Sequence, residues 1–209
     1  MQIIDSLKWR YATKKFDANR FLDDTQIDTL KEAFNLTATS YGLQPIRLVV
    51  INNKELQEQL VEHSWNQRQV ADASHLLVIC IENTVDEAYI DTYFDRVKSI
   101  RNTPDDILAP FKDFMKSSFK GKTQEELQTW SSKQAYIALG NLLTVCGTEK
   151  IDSCPMEGFT PEKYDEVLGL KAHGLSSVLV LPVGHRAEDD MFADFAKVRK
   201  TVAESILEL

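Results

Sequence analysis

The sequence predicts a helix-rich α/β or α+β layer architecture. Three observations carry that expectation. Apolar, β-rich runs at 46–51, 76–80 and 177–183 have the length and composition of buried strands. Longer stretches between them place apolar residues at helical spacing. One of these, 135–146, is apolar on nearly every face, and such a helix must be enclosed by protein all round. Strands separated by helices bury their apolar faces by packing as layers. The 209 residues, 43% apolar and 27% charged, suit a single domain over 1–209.

The elements follow in order. Ile3, Ile4 and Leu7 share one face of a short helix ending near Arg10, and 12–21 is polar and irregular. Asp24 or Thr25 can cap a second helix that turns Ile27, Leu30, Ala33 and Phe34 inward. After the strand at 46–51, Asn53 caps a helix carrying Leu56, Leu60 and Val61. The strand at 76–80 precedes one or two helices over 86–119, interrupted near Thr103-Pro104, with a turn at Gly121. A long helix is expected over 124–148, and a subunit interface is a natural place for its apolar second half. Thr160-Pro161 supplies an N-cap and a first-turn proline for a helix carrying Tyr164, Val167 and Leu168. The strand at 177–183 follows, and 205–209 is a candidate for a further strand.

The formal charge of −8 offers no footprint for nucleic acid or an anionic membrane, so an anionic ligand needs a local cluster of Lys and Arg. Cys80, Cys146 and Cys154 form no CxxC pair and no metal-ligand spacing with the four histidines. Cys80 and Cys146 read as small core residues, and the odd count fits a reducing compartment. Residues 1–10 lack the continuous apolar stretch of a signal peptide, and no run is long enough to span a bilayer, so the expectation is a cytoplasmic chain without bound metal.

Five segments carry candidate chemistry. Arg10 and Lys14 bracket a segment that can grip an anion. Lys197 and Arg199 point to the same side of an extended chain and can clamp a phosphate. Residues 153–159 combine Pro155, which fixes the backbone, with Gly158, which permits close approach to a ligand. The loop 37–45 is rich in hydroxyls, and Asn66 offers both donor and acceptor groups. In isolation each segment also reads as an ordinary surface loop, cap or helix end. Dinucleotide G-x-G-x-x-G, Walker, G-x-S-x-G and H-E-x-x-H motifs are all missing from the sequence.

In order, the chain shows Arg-x-x-x-Lys-x-Phe-Asp from Arg10, a hydroxyl-rich loop ending in Gln44-Pro45, and Asn66-x-Arg68 followed by 72–75 Asp-Ala-Ser-His. Lys133, Gln134, Tyr136, Gly140 and Asn141 follow, then Pro155-x-Glu157-Gly158-Phe159, Pro-Val-Gly-His at 182–185 and Lys197-x-Arg199. This series resembles the nitroreductase family of flavoproteins over nearly the whole chain, and its oxygen-insensitive branch most closely. The resemblance implies an α+β fold with a mixed central sheet flanked by helices, in an intertwined homodimer with two FMN sites at the subunit interface. It implies that Arg10, Lys197 and Arg199 hold the FMN phosphate, with the backbone of Tyr11 and Ala12 assisting. Lys14 and Asn66 would contact the pyrimidine side of the ring, the backbone N–H of Glu157 would meet flavin N5, and Pro155 and Gly158 would lie nearby. Lys14 and Glu157 would thus be the catalytic pair, and Thr39, Ser40 and Gln134 would come from the partner subunit. Gln69, Phe111 and Phe114, with Met115, are the candidates for contacting substrate. Thr39, Gly42 and Gln69 depart from the family's frequent Ser, Asn and Lys.

The activity implied is FMN-dependent oxidation of NADH or NADPH. Nitroaromatics, quinones or other electron-poor aromatic acceptors would be reduced by ping-pong hydride transfer. The alternatives are a specialised reductase of the same fold acting on a pteridine, an enone or a halogenated aromatic, and a flavin-binding module without turnover.

Overall fold

The three apolar runs form the sheet, with one short strand added at its edge. The computed structural model describes residues 3–209. Helix α1 (Ile3–Trp9) leads into an irregular segment, followed by α2 (Asp24–Asn35) and β1 (Ile46–Ile51). Helices α3 (Lys54–Gln59) and α4 (Gln69–Asp72) precede β2 (His75–Glu82). The excursion α5 (Glu87–Arg101) and α6 (Asp105–Lys120) leads to the long α7 (Gln124–Glu149). Strand β3 (Asp152–Ser153), helix α8 (Pro161–Val167), strand β4 (Leu175–Gly184) and helix α9 (Val202–Ser205) complete the order.

The strands lie in the order β1-β2-β4-β3. Each neighbouring pair is antiparallel, with Leu48 opposite Ile79 and Val78 opposite Val180. The mixed sheet expected from sequence is therefore corrected to an antiparallel one. Parallel pairing among the described residues is confined to the isolated bridge Ala12–Ser153. Central β2 reads as a continuous apolar run because helices cover both of its faces. Leu76, Val78 and Cys80 pack with Leu60, Val70, Phe159 and Tyr164 on one side. Leu77, Ile79 and Ile81 pack with Leu30, Ala138, Leu142 and Cys146 of α2 and α7 on the other.

Helix α7 starts at a reciprocal cap, in which the Thr123 hydroxyl accepts from the Glu126 amide and the Glu126 carboxylate accepts from the Thr123 amide. Ala135, Ala138, Leu139, Leu142 and Cys146 are buried, as the all-round apolar pattern requires. Tyr136 and Ile137, however, remain 47% and 49% exposed, so one face is left uncovered by this chain. Near its end Gly147 admits α1, since a Cβ there would stand 3.0 Å from the Ser6 carbonyl oxygen and 3.6 Å from Arg10 Cγ.

Some local expectations change. Helix α2 is capped by Asp23, one residue before the expected Asp24, because Asp23 and Gln26 form a reciprocal box. Met115 is fully buried with Val85, Ile90, Phe94 and Phe119 between α5 and α6, so it is core and does not face a cleft. The strand expected at 205–209 is absent: Thr201 and Glu204 cap the short α9, and 206–209 stays exposed and unpaired.

His75 opens β2, with its Nδ1 2.9 Å from Ser74 Oγ. Burial, then the charges of Lys54 and Lys31, depress its pKa. The unfolded imidazole, near 6.5, therefore takes up a proton before the folded one. Stability is expected to fall as pH drops from about 6.5 through the lower folded value, and the loss is complete below it. Chemical denaturation across this range should show a flatter profile for His75→Gln than for the parent chain.

Candidate functional site

The segment after α1 is laid along the sheet edge by backbone bonds. The Thr13 amide donates to the Ser153 carbonyl (3.1 Å), the Asp17 amide to the His185 carbonyl (2.9 Å), and the Ala187 amide to the Lys15 carbonyl (2.9 Å). Lys14 Nζ then lies 3.9 Å from Cys154 Sγ. At the other end of the chain 196–200 has no regular structure, which lets Lys197 Nζ donate to the Arg10 carbonyl across 187 positions of sequence.

Three cations thus converge. Burial and the Arg199 charge lower the Arg10 pKa, and burial followed by Arg10, Arg199 and Arg186 lowers that of Lys197. Arg10 Nε is buried without an acceptor. Among the described residues none of Arg10, Lys14, Lys197 and Arg199 forms an ion pair with a carboxylate. Gathering like charges without a counter-ion is unfavourable, and an anion held among them would relieve that repulsion.

The cluster is framed by groups that sequence reasoning missed. The Arg186 guanidinium lies 4.5 Å from the ring centres of both Trp9 and Tyr11. Its Nε donates to Asp152 Oδ1 (2.6 Å), while Nη2 is 2.5 Å from the same oxygen but poorly aligned as a donor. Asp190 Oδ2 accepts from the Tyr11 hydroxyl (2.8 Å) and from the amides of Lys14 (2.9 Å) and Lys15 (3.3 Å). The acidic run 188–190, two residues beyond Arg186, was the only sequence signal for this last carboxylate.

A second loop closes on 155–159. Trp65 and Asn66 both have left-handed backbone, at φ 53° and 58°, a strain that non-glycine residues rarely carry. Gln67 Nε2 donates to the Gly158 carbonyl (3.0 Å), so the loop that carries Asn66 is tied to the 155–159 segment. A Cβ on Gly158 would come within 2.9 Å of both Gln67 Nε2 and Trp65 Cε3, so a larger residue here would push these two side chains aside. Pro155 precedes Met156, whose amide pairs with the Val180 carbonyl of β4 (2.8 Å). The amides of Tyr11, Ala12 and Glu157 find no acceptor among the described residues. The Glu157 carboxylate accepts from the Tyr136 hydroxyl at 2.6 Å.

The remaining candidates assemble elsewhere. Gln134 Oε1 accepts from the Ser40 amide (2.9 Å), and Thr39 Oγ1 accepts from the Gln44 amide (3.0 Å). Tyr41, at φ 59°, sets its ring 6.4 Å from Phe111, which stacks on Phe114 at 6.3 Å. Among the described residues no hydrogen bond, ion pair or ring contact joins this aromatic group to the basic one. Gln69 belongs to neither group and is buried in α4. A cavity of about 420 Å³ lined by Gln44, Arg47, Tyr89, Tyr93 and Arg96 touches the end of the 37–45 loop but none of the residues expected to contact flavin or substrate. Among the described residues, no cluster of His, Cys, Asp and Glu could hold a metal, and no helix is long and apolar enough to cross a membrane.

Fold and site together define an α+β protein with a cluster of cations at one edge of its sheet, drawn from both ends of the chain. Comparison with known proteins is more specific. The family model described as Nitroreductase family matches residues 7–185. The Bacillus subtilis protein YfkO, which carries the name NAD(P)H nitroreductase, is 34% identical over 90% of each chain. The oxygen-insensitive NAD(P)H nitroreductase of Enterobacter cloacae is 29% identical over the full length of both. A nitroreductase-like protein from Streptococcus mutans superimposes with a TM-score of 0.85 at 25% identity, covering 99% of this chain and 97% of that one. The chain belongs to the nitroreductase family.

Proposed function

We propose that this chain is an FMN-dependent NAD(P)H oxidoreductase that works as a homodimer and reduces nitroaromatics, quinones or similar electron-poor acceptors. The observation that carries the reading is the convergence of Arg10, Lys197 and Arg199 without a counter-ion, with Arg10 Nε buried and unpartnered. A phosphate dianion is the ligand such a cluster fits, and bidentate guanidinium contacts add direction. The free amides of Tyr11 and Ala12 suit the same anion.

Bound there, FMN would supply two-electron hydride chemistry between a reduced nicotinamide and an acceptor. The chain's own task is position and electrostatics. The Lys14 cation lowers the cost of negative charge on the pyrimidine edge, and Asn66 offers that edge both donor and acceptor. Pro155, Glu157 and Gly158 would offer backbone to the ring, and the Glu157 amide, which has no acceptor among the described residues, would be free to donate to it. Ser40 and Gln134 bond each other, and among the described residues neither they nor Thr39 bonds Arg10, Lys14, Lys197 or Arg199, which fits a site completed by a second copy. Phe111 and Phe114 join that second group through Tyr41 and offer stacking surface to a flat acceptor, whereas Gln69, buried in α4, has no part in it. The names of the relatives support the donor and the acceptor class.

Exposed apolar side chains support the dimer: Ile3, Ile4 and Leu7 on α1, Ile137 on α7, and Val202, Ile206, Leu207 and Leu209 in the tail. Sedimentation should give a dimer binding one FMN per chain. One open place serving donor and acceptor in turn predicts parallel double-reciprocal lines when NADH or NADPH is varied against menadione or nitrofurazone. Intersecting lines would reject the shared place, and a chain that takes up no FMN would reject the flavin reading altogether.

A further inference from the structure

Asp190 is 4% exposed and stands where the chain leaves β4 on its way to Lys197. It is the acceptor on which the two ends of the chain are tied. Oδ2 takes the Tyr11 hydroxyl and two successive amides, Lys14 and Lys15, while Oδ1 takes the Phe192 amide (3.2 Å) and starts the turn at 191–194. Burial pushes the carboxyl's pKa upward, and the bonds from Tyr11, Lys14, Lys15 and Phe192 more than offset it, so the group is held as carboxylate. Only an ionised carboxylate offers lone pairs alone to this many donors. Two neighbouring amides converging on one oxygen fix the peptide planes on both sides of Lys14, and with them the direction in which its side chain leaves the backbone.

We propose that Asp190 is a positioning residue for flavin chemistry, aiming Lys14 at the cofactor and joining the N-terminal half of the phosphate clamp to the C-terminal half. The proposal rests on the FMN reading above. It has a sign that a through-space charge effect lacks. Loss of a nearby negative charge by itself makes negative charge on the flavin cheaper and raises the midpoint potential. Release of Lys14 makes that charge more expensive and lowers the potential.

The test compares Asp190→Asn, Lys14→Ala and their combination with the parent chain. FMN affinity is read by fluorescence titration and midpoint potential by dye equilibration, with protein in excess over flavin. Asp190→Asn is expected to weaken FMN by roughly tenfold or more, the scale of a lost hydrogen-bond set to a charged group. It should lower the potential in the same direction as Lys14→Ala, and in the Lys14→Ala background it should lower it no further. A potential that rises, or a shift that persists at full size without Lys14, overturns the proposal. Tyr11→Phe removes one donor and keeps the carboxylate, and should move both readouts the same way by less. Should Asp190→Asn not fold, Tyr11→Phe decides, and parent-like affinity and potential in that variant overturn the proposal. Arg10→Ala with Arg199→Ala separates the two ideas: retained FMN there sinks the binding reading, whereas lost FMN there with a parent-like Asp190→Asn sinks only the role of Asp190.

Discussion

The double substitution Arg10→Ala and Arg199→Ala is expected to strip the protein of FMN. A hydrogen bond to a charged group contributes about 1.5–3 kcal/mol, so two lost phosphate contacts weaken binding on the order of a hundredfold to ten-thousandfold. The apoprotein should show the opposite tendency. Arg10 and Arg199 repel each other, and Arg10 Nε has no acceptor, so removing both guanidiniums relieves an unfavourable arrangement. Thermal melting of flavin-free protein should therefore be no lower in the double variant. That pairing of results distinguishes a lost ligand from a damaged fold. Yellow colour and flavin stoichiometry that survive unchanged would place the phosphate elsewhere.

Asp152→Ala is expected to be the most damaging single change to stability near the site. Asp152 is buried beside β4, where Oδ1 takes the Arg186 side chain and Oδ2 takes the Arg186 amide at 2.8 Å. Its loss leaves a guanidinium caught between Trp9 and Tyr11 without its anion. Breaking a buried pair in this one-sided way costs about 3–5 kcal/mol, since the remaining charge cannot regain its hydration. Urea denaturation should show a lower midpoint at unchanged slope. A loss of only a few tenths of a kcal/mol would mean that Arg186 swings out to water and that the stack on Tyr11 contributes little. FMN affinity should fall as well, because Trp9 and Tyr11 flank Arg10.

Much of the architecture was legible from local pattern. The runs at 46–51, 76–80 and 177–183 became β1, β2 and β4, and Asn53 capped α3 through its bond to the Leu56 amide. Strand alternation could not be read from β2, because both faces are covered and both carry apolar residues. Within the candidate site, Arg10, Lys14, Lys197 and Arg199 were singled out by charge together with the ordered resemblance, since charge and spacing alone also fit solvated loops and helix ends. Asp152, Arg186 and Asp190 were not, since an acidic or basic residue in a polar stretch looks the same whether it is solvated or buried against a distant partner. Met115 was misplaced for a related reason: Phe111, Phe114 and Met115 lie within two turns of one helix, and only the packing of α6 against α5 turns Met115 inward while leaving the two rings exposed.

Taken alone, the order of residues determined which segments become helices and strands, which faces they bury, and that a few cations stand at the two extremes of the chain. Local periodicity and capping are short-range properties, and they are written in neighbouring positions. Tertiary structure decided the antiparallel order of the strands, the exposure left on α7, and the meeting of Arg10 with Lys197 on the scaffold of Asp190 and Asp152. Those outcomes depend on the free energy of packing distant segments together, which no local stretch of sequence carries.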